Sequence, residues 1–118
     1  MRLSIKEIHD KIGGKIITNL TKKEKENLII HSACGIDSTN KNSVCYINEK
    51  RFKKFIYSDN MQAAVLMINS NIFREWKQKD VNLILHNSSI KAIIELNDAK
   101  KSFSIMLKLF LNNKLKNS

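Results

Sequence analysis

The chain has no proline, only three glycines and only two cysteines in 118 residues, and it has no apolar run as long as a membrane span. A spanning helix needs about 20 consecutive apolar residues. Charged residues also begin at Arg2 and Lys6, too early for a secretory signal peptide. We therefore expect a cytoplasmic protein. We also expect a single domain, because a chain of this length can bury one core but has no room for a second.

Cysteine and histidine are too sparse to predict a metal site. Cys34 and Cys45 fit a reducing compartment as small apolar side chains, and two thiols alone do not bind a metal. The three histidines, His9, His31 and His86, are scattered along the chain without the spacing of ligands. The sequence therefore predicts neither a metal ion nor another cofactor.

The scarcity of glycine also excludes the common phosphate-binding loops. Gly13-Gly14 lacks both the preceding strand and the later glycines of a P-loop or a dinucleotide-binding motif, and no nucleophile elbow is present. Glu7, Glu24 and Glu26 have surface spacing, without the pattern of a paired acid and base. We predict no catalytic residue in this chain.

Positive charge is abundant: 21 basic against 11 acidic residues give a net charge of +10, which favours anionic partners. The lysines are spread along the whole chain instead of forming one block. Enrichment in Lys, Asn and Ile without proline is also what AT-rich coding produces. Charge alone therefore does not establish nucleic-acid binding.

The apolar pattern predicts helices alternating with strands. Ser4-Ile5-Lys6-Glu7 is a capping box that begins a helix, and Gly13-Gly14 ends it. Residues 21–27 are predicted to be a charged connector and residues 71–79 a short helix. Strands are predicted at residues 15–20, 28–32, 63–68, 81–85 and 90–96 and from Val44 onward.

A closing helix is predicted to be capped by Asn97 or Asp98, and its apolar face includes Phe103, Met106, Leu107 and Phe110. The fold class is then a small α/β sandwich, with a mixed or mostly parallel sheet flanked by helices. We assign residues 1–112 to the domain and residues 113–118 to a polar, frayed tail.

Residues 44–58 are the most informative stretch. A β-branched and aromatic strand leads into a segment with Phe52, Phe55 and Ile56 at helical spacing, while its lysines and arginine face elsewhere. One interpretation is a core strand followed by an amphipathic surface helix. The other is a site at which an aromatic side chain stacks on a flat base beside a basic helix start that holds phosphates.

In order and spacing, residues 4–110 resemble the N-terminal domain of UDP-3-O-acylglucosamine N-acyltransferase (LpxD) of lipid A biosynthesis. That domain begins with a helix ending in glycine, as residues 5–14 do. Its strand-to-helix signature, I-S-F-L-x-N-P-K-Y, aligns without a gap with residues 44–52. Its Ala-Ala-Val strand and its D-N-P-x-L-A-F-A-K-L-L-x-L-F helix are similar to residues 63–67 and 97–110.

The resemblance implies that this domain holds the uracil end of a UDP-N-acetylglucosamine-type ligand. The family's two aromatic positions fall on Tyr46 and Phe52, and its asparagine falls on Glu49, with Asn48 one place earlier. Lys50 and Arg51 occupy its proline and lysine positions. With Lys53, they are the expected phosphate-binding residues.

Glu49 departs from the family, because a carboxylate cannot donate to a uracil carbonyl and its charge repels a diphosphate. Either Asn48 substitutes for the asparagine, or the nucleotide site is altered or lost. Two alternatives follow: a relative of the Mur-ligase N-terminal domains, which also bind UDP-linked precursors, or a protein- or nucleic-acid-binding module that keeps only the fold.

In the family, acyl transfer and trimer formation belong to a C-terminal left-handed β-helix of hexapeptide repeats. This chain ends where the connection to that domain would begin. We therefore expect a monomeric substrate-binding domain that is not active alone. Acyl carrier protein would be a partner only through the catalytic domain.

Overall fold

The computed structural model describes the backbone of residues 2–116 and the side chains of residues 2–86 and 88–111. A 3₁₀-helix, Lys50–Tyr57, lies between the fifth and sixth strands. The other elements, in chain order, are β1 (Leu3–Ser4), α1 (Ile5–Ile12), β2 (Lys15–Thr18), α2 (Lys22–Asn27), β3 (Ile29–Ile30), β4 (Ser32–Ala33), β5 (Ser43–Ile47), β6 (Val65–Asn69), α3 (Ser70–Phe73), α4 (Gln78–Asn87), β7 (Ala92–Leu96) and α5 (Ala99–Lys116).

The main sheet has five strands in the order β2-β7-β6-β5-β4. Strands β4 to β7 run parallel in chain order, and β2 joins the edge antiparallel to β7. Strands β1 and β3 form a separate antiparallel pair. The predicted α/β class with a mixed, mostly parallel sheet is confirmed.

Strand β6, which lies largely within the strand predicted at residues 63–68, is the centre of this sheet. Val65, Leu66, Met67 and Ile68 are all fully buried. Because side chains alternate along a strand, Val65 and Met67 enter one core and Leu66 and Ile68 enter the other. Because these four residues of β6 are buried on both faces of the sheet, all four are apolar.

Helices cover both faces of the sheet. Because β4 to β7 follow one another in one direction, right-handed crossovers place their connecting helices on one side. We call this side the α4 face; its helical core residues are Ile56, Ile72, Val81, Ile84 and Leu85. The opposite side, the α5 face, is covered by α1 and α5 through Ile5, Ile8, Phe103, Met106 and Phe110.

The ends of α1 follow the predicted signals. The Ser4 hydroxyl accepts from the backbone N–H of Glu7 at 3.0 Å, and the Glu7 carboxylate accepts from the backbone N–H of Ser4 at 3.1 Å. Gly13 and Gly14 end the helix with φ of +72° and +85°. A Cβ on Gly14 would lie 2.6 Å from the Glu95 carbonyl oxygen, so only glycine fits beside β7.

The prediction of a strand at residues 81–85 was wrong, because this segment lies within α4. Val81, Ile84 and Leu85 are buried while Leu83 is half exposed, which is the spacing of a helix rather than of a strand. The predicted single helix over residues 71–79 was also wrong. Helix α3 ends at Phe73, and α4 begins at Gln78.

The charged connector predicted over residues 21–27 is instead the helix α2. The Thr21 hydroxyl accepts from the backbone N–H of Glu24 at 3.1 Å, and the Glu24 carboxylate accepts from that of Thr21 at 2.9 Å. No residue of α2 is buried. Local capping therefore starts this helix, although α2 contributes no buried residue to the core.

Helix α5 begins as predicted, with the Asp98 carboxylate accepting from the backbone N–H of Lys101 at 3.1 Å. Leu107 does not belong to its buried face, because it is 39% exposed at the flank of the helix. Helix α5 continues to Lys116, and residues 117 and 118 of the predicted tail lie outside the described residues. Over the described part of the chain, no helix has both the length and the hydropathy that a membrane crossing requires.

Candidate functional site

A cleft of about 230 Å³ lies at the carboxyl ends of β4 and β5. Its lining comes from the loop after β4 and from the segment that runs through β5 into the 3₁₀-helix. In open α/β sheets, ligands bind in crevices at this edge of the parallel strands. The six lining residues are Gly35, Ile36, Asp37, Tyr46, Phe52 and Phe55.

Tyr46 is fixed from the α5 face. Its ring centroid lies 4.6 Å from that of Phe103 on α5, with the ring planes tilted by 44°. Tyr46 is half-buried and packs against the core of that face. The aromatic contact therefore limits how far the tyrosine ring can move within the cleft.

Phe52 and Phe55 come from the other side, the α4 face. They are three residues apart in a 3₁₀-helix, in which side chains at i and i+3 project in the same direction. Their ring centroids lie 6.2 Å apart, and Phe52 also packs against the core of the α4 face. The 3₁₀ geometry thus places two aromatic rings on one wall of the cleft.

The loop Gly35–Asp37 forms the remaining wall. The Gly35 carbonyl accepts from the backbone N–H of Ser38 at 3.1 Å, which closes a turn. A Cβ on Gly35 would lie 3.0 Å from the Asp37 carboxylate, so the turn is tight at this point. Among the six lining residues, Asp37 is the one with a charged side chain, and it is exposed at the cleft.

The three predicted phosphate-binding cations do not line the cleft, and each contacts a carboxylate. Lys50 Nζ lies 2.8 Å from Glu75, and Arg51 Nε lies 2.6 Å from Glu49. Lys53 Nζ lies 3.6 Å from Asp80, and it also lies 5.3 Å from the ring centroid of Trp76. Of these three cations, Arg51 contacts the aromatic wall: its guanidinium lies 4.8 Å from the ring centroid of Phe52.

Of the predicted base-binding residues, the structure brings Tyr46 and Phe52 together and leaves the other two outside the lining. Asn48 is half-buried, and Glu49 is exposed. Four lining residues were missed by the sequence reasoning: Gly35, Ile36, Asp37 and Phe55. The available signals were the three-residue spacing of Phe55 from Phe52 and the turn formers that follow β4.

Cys45 and His9, which lie outside the lining of the cleft, have contacts of their own. Burial raises the pKa of the Cys45 thiol to about 12, with Cys34 as a smaller cause. The His9 ring nitrogen Nε2 hydrogen-bonds the Gly14 carbonyl oxygen at 2.8 Å. Among the side chains that the structure describes, no three His, Cys, Asp or Glu residues are grouped to hold a metal ion.

Comparison with known proteins gives neither a matching family model nor a matching curated protein. The functional interpretation therefore depends on the cleft itself. Its main features are three aromatic rings from two elements, one carboxylate, and cations that lie just outside the lining.

Proposed function

We propose that this domain binds the uracil end of a UDP-N-acetylglucosamine-type nucleotide sugar, as the cytoplasmic substrate-binding part of a lipid A N-acyltransferase. The observation that carries the proposal is the meeting of Tyr46, Phe52 and Phe55 around one cleft at the carboxyl ends of the parallel strands. The resemblance of residues 44–52 to the family signature supports the same ligand.

The size of the cleft suits a single planar ring. Pockets for drug-sized ligands enclose roughly 300–1,000 Å³. At about 230 Å³, this cleft would hold the base, with the ribose and the phosphates outside. Aromatic faces gain stacking energy with any base. Preference for uracil would come from its N3–H donating to the Asp37 carboxylate and from loop N–H groups donating to its carbonyl oxygens.

The ion pairs of Lys50 and Arg51 are compatible with phosphate binding. Both pairs are exposed, and exposed pairs contribute only about 0–1 kcal/mol to stability. A diphosphate is a stronger acceptor for a guanidinium than a single mobile carboxylate. Arg51 would then leave Glu49 while its guanidinium stays over the Phe52 ring.

A second candidate function is a protein- or nucleic-acid-binding module that has lost the nucleotide. One observation favours it: Lys50, Arg51 and Lys53 already contact carboxylates, and the cleft presents a further one, Asp37. Those charges oppose a diphosphate at the cleft. Nucleic-acid binding would weaken steeply with salt and would not select uracil.

Calorimetric titration with UMP, UDP-N-acetylglucosamine and AMP, at low and moderate salt, separates the two functions. The proposal expects uridine-selective binding that changes little for UMP between the two salt concentrations. Phe52→Ala is expected to weaken UMP binding by roughly 5- to 150-fold, equivalent to about 1–3 kcal/mol of lost stacking. Glu49→Asn is expected to strengthen it, because an amide can donate and carries no charge.

Phe73→Ala is the matched control for Phe52→Ala. Phe73 is also a half-buried aromatic residue of the α4 face, but it packs against Trp76 and does not line the cleft. Its truncation should leave UMP affinity unchanged. Equal affinity for UMP and AMP, or no binding at millimolar UMP, would reject the uridine site and favour the second candidate.

A further inference from the structure

The two cysteines lie opposite each other across two neighbouring strands. In the parallel pairing of β4 with β5, Ser32 is opposite Ser43 and Ala33 is opposite Val44, so the next pair is Cys34 and Cys45. The backbone N–H of Cys34 donates to the Val44 carbonyl at 2.9 Å. This hydrogen bond flanks the pair Ala33 and Val44, and it keeps Cys34 beside β5 one residue beyond the end of β4.

The spacing of paired strands suits a disulfide. Neighbouring strands lie about 4.8 Å apart, within the roughly 4.4–6.8 Å that separates the Cα atoms of disulfide-bonded cysteines. Side chains of directly paired residues lie on the same face of a sheet.

The two thiols differ in accessibility. Cys34 is half-buried, and its Sγ contacts Asn40 Nδ2 at 3.4 Å and Ser32 Oγ at 3.6 Å. Cys45 is fully buried, and its thiol donates to the Val65 carbonyl at 3.8 Å. A soluble oxidant would therefore meet Cys34 first.

We propose that Cys34 and Cys45 are a redox-active pair that forms an intrachain disulfide, tying the edge strand β4 to β5 beneath the cleft. Gly35 directly follows Cys34, and Tyr46 directly follows Cys45, so the bond would join the backbones that carry two walls of the cleft. This inference stands apart from the proposed function, since it concerns the thiols and not the ligand.

The oxidant we name is a low-molecular-weight disulfide such as glutathione disulfide. The Cys34 thiolate attacks one of its sulfur atoms, which forms a mixed disulfide and releases one glutathione thiolate. Once local opening exposes Cys45, its thiol loses its proton, attacks the Cys34 sulfur and releases the second glutathione thiolate. Two protein thiols lose two electrons in total, one glutathione disulfide is reduced, and the two thiol protons end on the two glutathione thiolates.

The second attack requires β4 to move, because Cys45 is fully buried. The Cys45 thiol must also turn away from the Val65 carbonyl of β6, which lies on the opposite side of β5 from β4. Strand β4 consists of two residues at the edge of the sheet, and such edge segments open locally more readily than central strands. We therefore expect the Cys34 mixed disulfide to form first and the intrachain disulfide to replace it more slowly.

Mass spectrometry of the folded protein, incubated with glutathione disulfide, tests the proposal. The expected product is a monomer lighter by about 2 Da, the mass of two hydrogen atoms, which dithiothreitol restores. Trypsin cleaves after Lys25, Lys41 and Lys50, so the bond should join peptide 26–41 to peptide 42–50 under non-reducing conditions.

Cys45→Ser is the control variant. It should retain one stable glutathione on Cys34, because no second thiol can displace it. For the unmodified protein, a persistent glutathione adduct, a disulfide-linked dimer or an unreacted chain as the final product would each overturn the proposal. The readout uses the native sequence, so it does not depend on whether a cysteine variant folds.

Discussion

The two faces of the sheet are covered in different ways. The α5 face is covered by the regular helices α1 and α5, of 8 and 18 residues. The α4 face is covered by helices that are each shorter than α5: a 3₁₀-helix of 8 residues, then α3 and α4 of 4 and 10 residues. The aromatic cleft lies where the two faces meet at the carboxyl edge, with Tyr46 from the first and Phe52 from the second.

The aromatic walls of the cleft are therefore supported from different faces of the sheet. On the α5 face, Phe103 holds Tyr46 from behind. On the α4 face, the 3₁₀-helix leaves Phe52 and Phe55 half-buried, so their rings remain available to a ligand. The two aromatic walls of the cleft therefore pack against different cores, Tyr46 on the α5 face and Phe52 on the α4 face.

The largest expected effect comes from truncating neighbouring core residues of β7 that point to opposite faces. Ile93 belongs to the core of the α4 face and Ile94 to that of the α5 face, and both are fully buried. Each change to alanine is expected to lower the free energy of unfolding by about 2–5 kcal/mol. Ile94→Ala should cost more, because the 18-residue helix α5 moves less readily into a gap than the shorter helices of the α4 face do.

Urea unfolding of the two variants measures this difference. Because the two positions are adjacent in one strand and carry the same side chain, each variant is the control for the other. A larger loss for Ile93→Ala would contradict the contrast between the faces.

The next effect is a loss of stability in alkali, caused by Cys45 on the α4 face. Burial raises its pKa from 9.0 to about 12, so the folded state keeps a proton that the unfolded state releases. This contribution is complete below about pH 9 and is lost as pH rises towards 12. One such proton lowers the free energy of unfolding by about 1.4 kcal/mol per pH unit.

Unfolding at several alkaline pH values isolates this contribution when the protein is compared with Cys45→Ala. The variant lacks the buried thiol and should therefore lose less stability per pH unit. Tyrosines and lysines titrate equally in both proteins, so their contribution cancels in the comparison. Cys34→Ala, which alters the half-buried partner, should keep most of the slope. Equal slopes for the protein and Cys45→Ala would contradict the prediction.

A smaller effect separates a capped helix from an uncapped one. Ser4 is buried and caps α1, whereas Glu49 precedes the 3₁₀-helix without a side-chain capping hydrogen bond. Ser4→Ala is expected to lower the free energy of unfolding by about 1 kcal/mol. Glu49→Ala should change it by less than about 0.5 kcal/mol, because its pair with Arg51 is exposed. Thermal unfolding measures both changes, and a loss for Ser4→Ala no larger than that for Glu49→Ala would contradict the prediction.

Structural features that depend on residues close together in the chain can be predicted from the sequence. The capping box of α1, its glycine end and the apolar strand β6 all follow from short patterns, and the structure has them. The prediction of a strand at residues 81–85 failed because a short apolar run fits a strand and one side of a helix equally well. The burial of Val81, Ile84 and Leu85 on the α4 face decides for the helix.

The candidate site was predictable only in part, because it is assembled from distant segments. Tyr46 and Phe52 are close in sequence, but Asp37 reaches the cleft through the parallel pairing of β4 with β5. Likewise, the contact of Lys50 with Glu75 joins residues 25 positions apart. Such tertiary contacts leave no local pattern in the sequence.

The proposed uridine site can be tested residue by residue if amide chemical shifts are mapped by NMR while UMP is added to the labelled protein. We expect the largest shifts at Gly35, Ile36 and Asp37 and on the 3₁₀-helix around Phe52 and Phe55, and we expect Phe52→Ala to reduce them at the same UMP concentration. A second cleft at the carboxyl ends of β6 and β7, which includes residues 95–98, serves as the internal control. Shifts confined to that second cleft, or no shifts at millimolar UMP, would rule out a uridine site at the aromatic cleft.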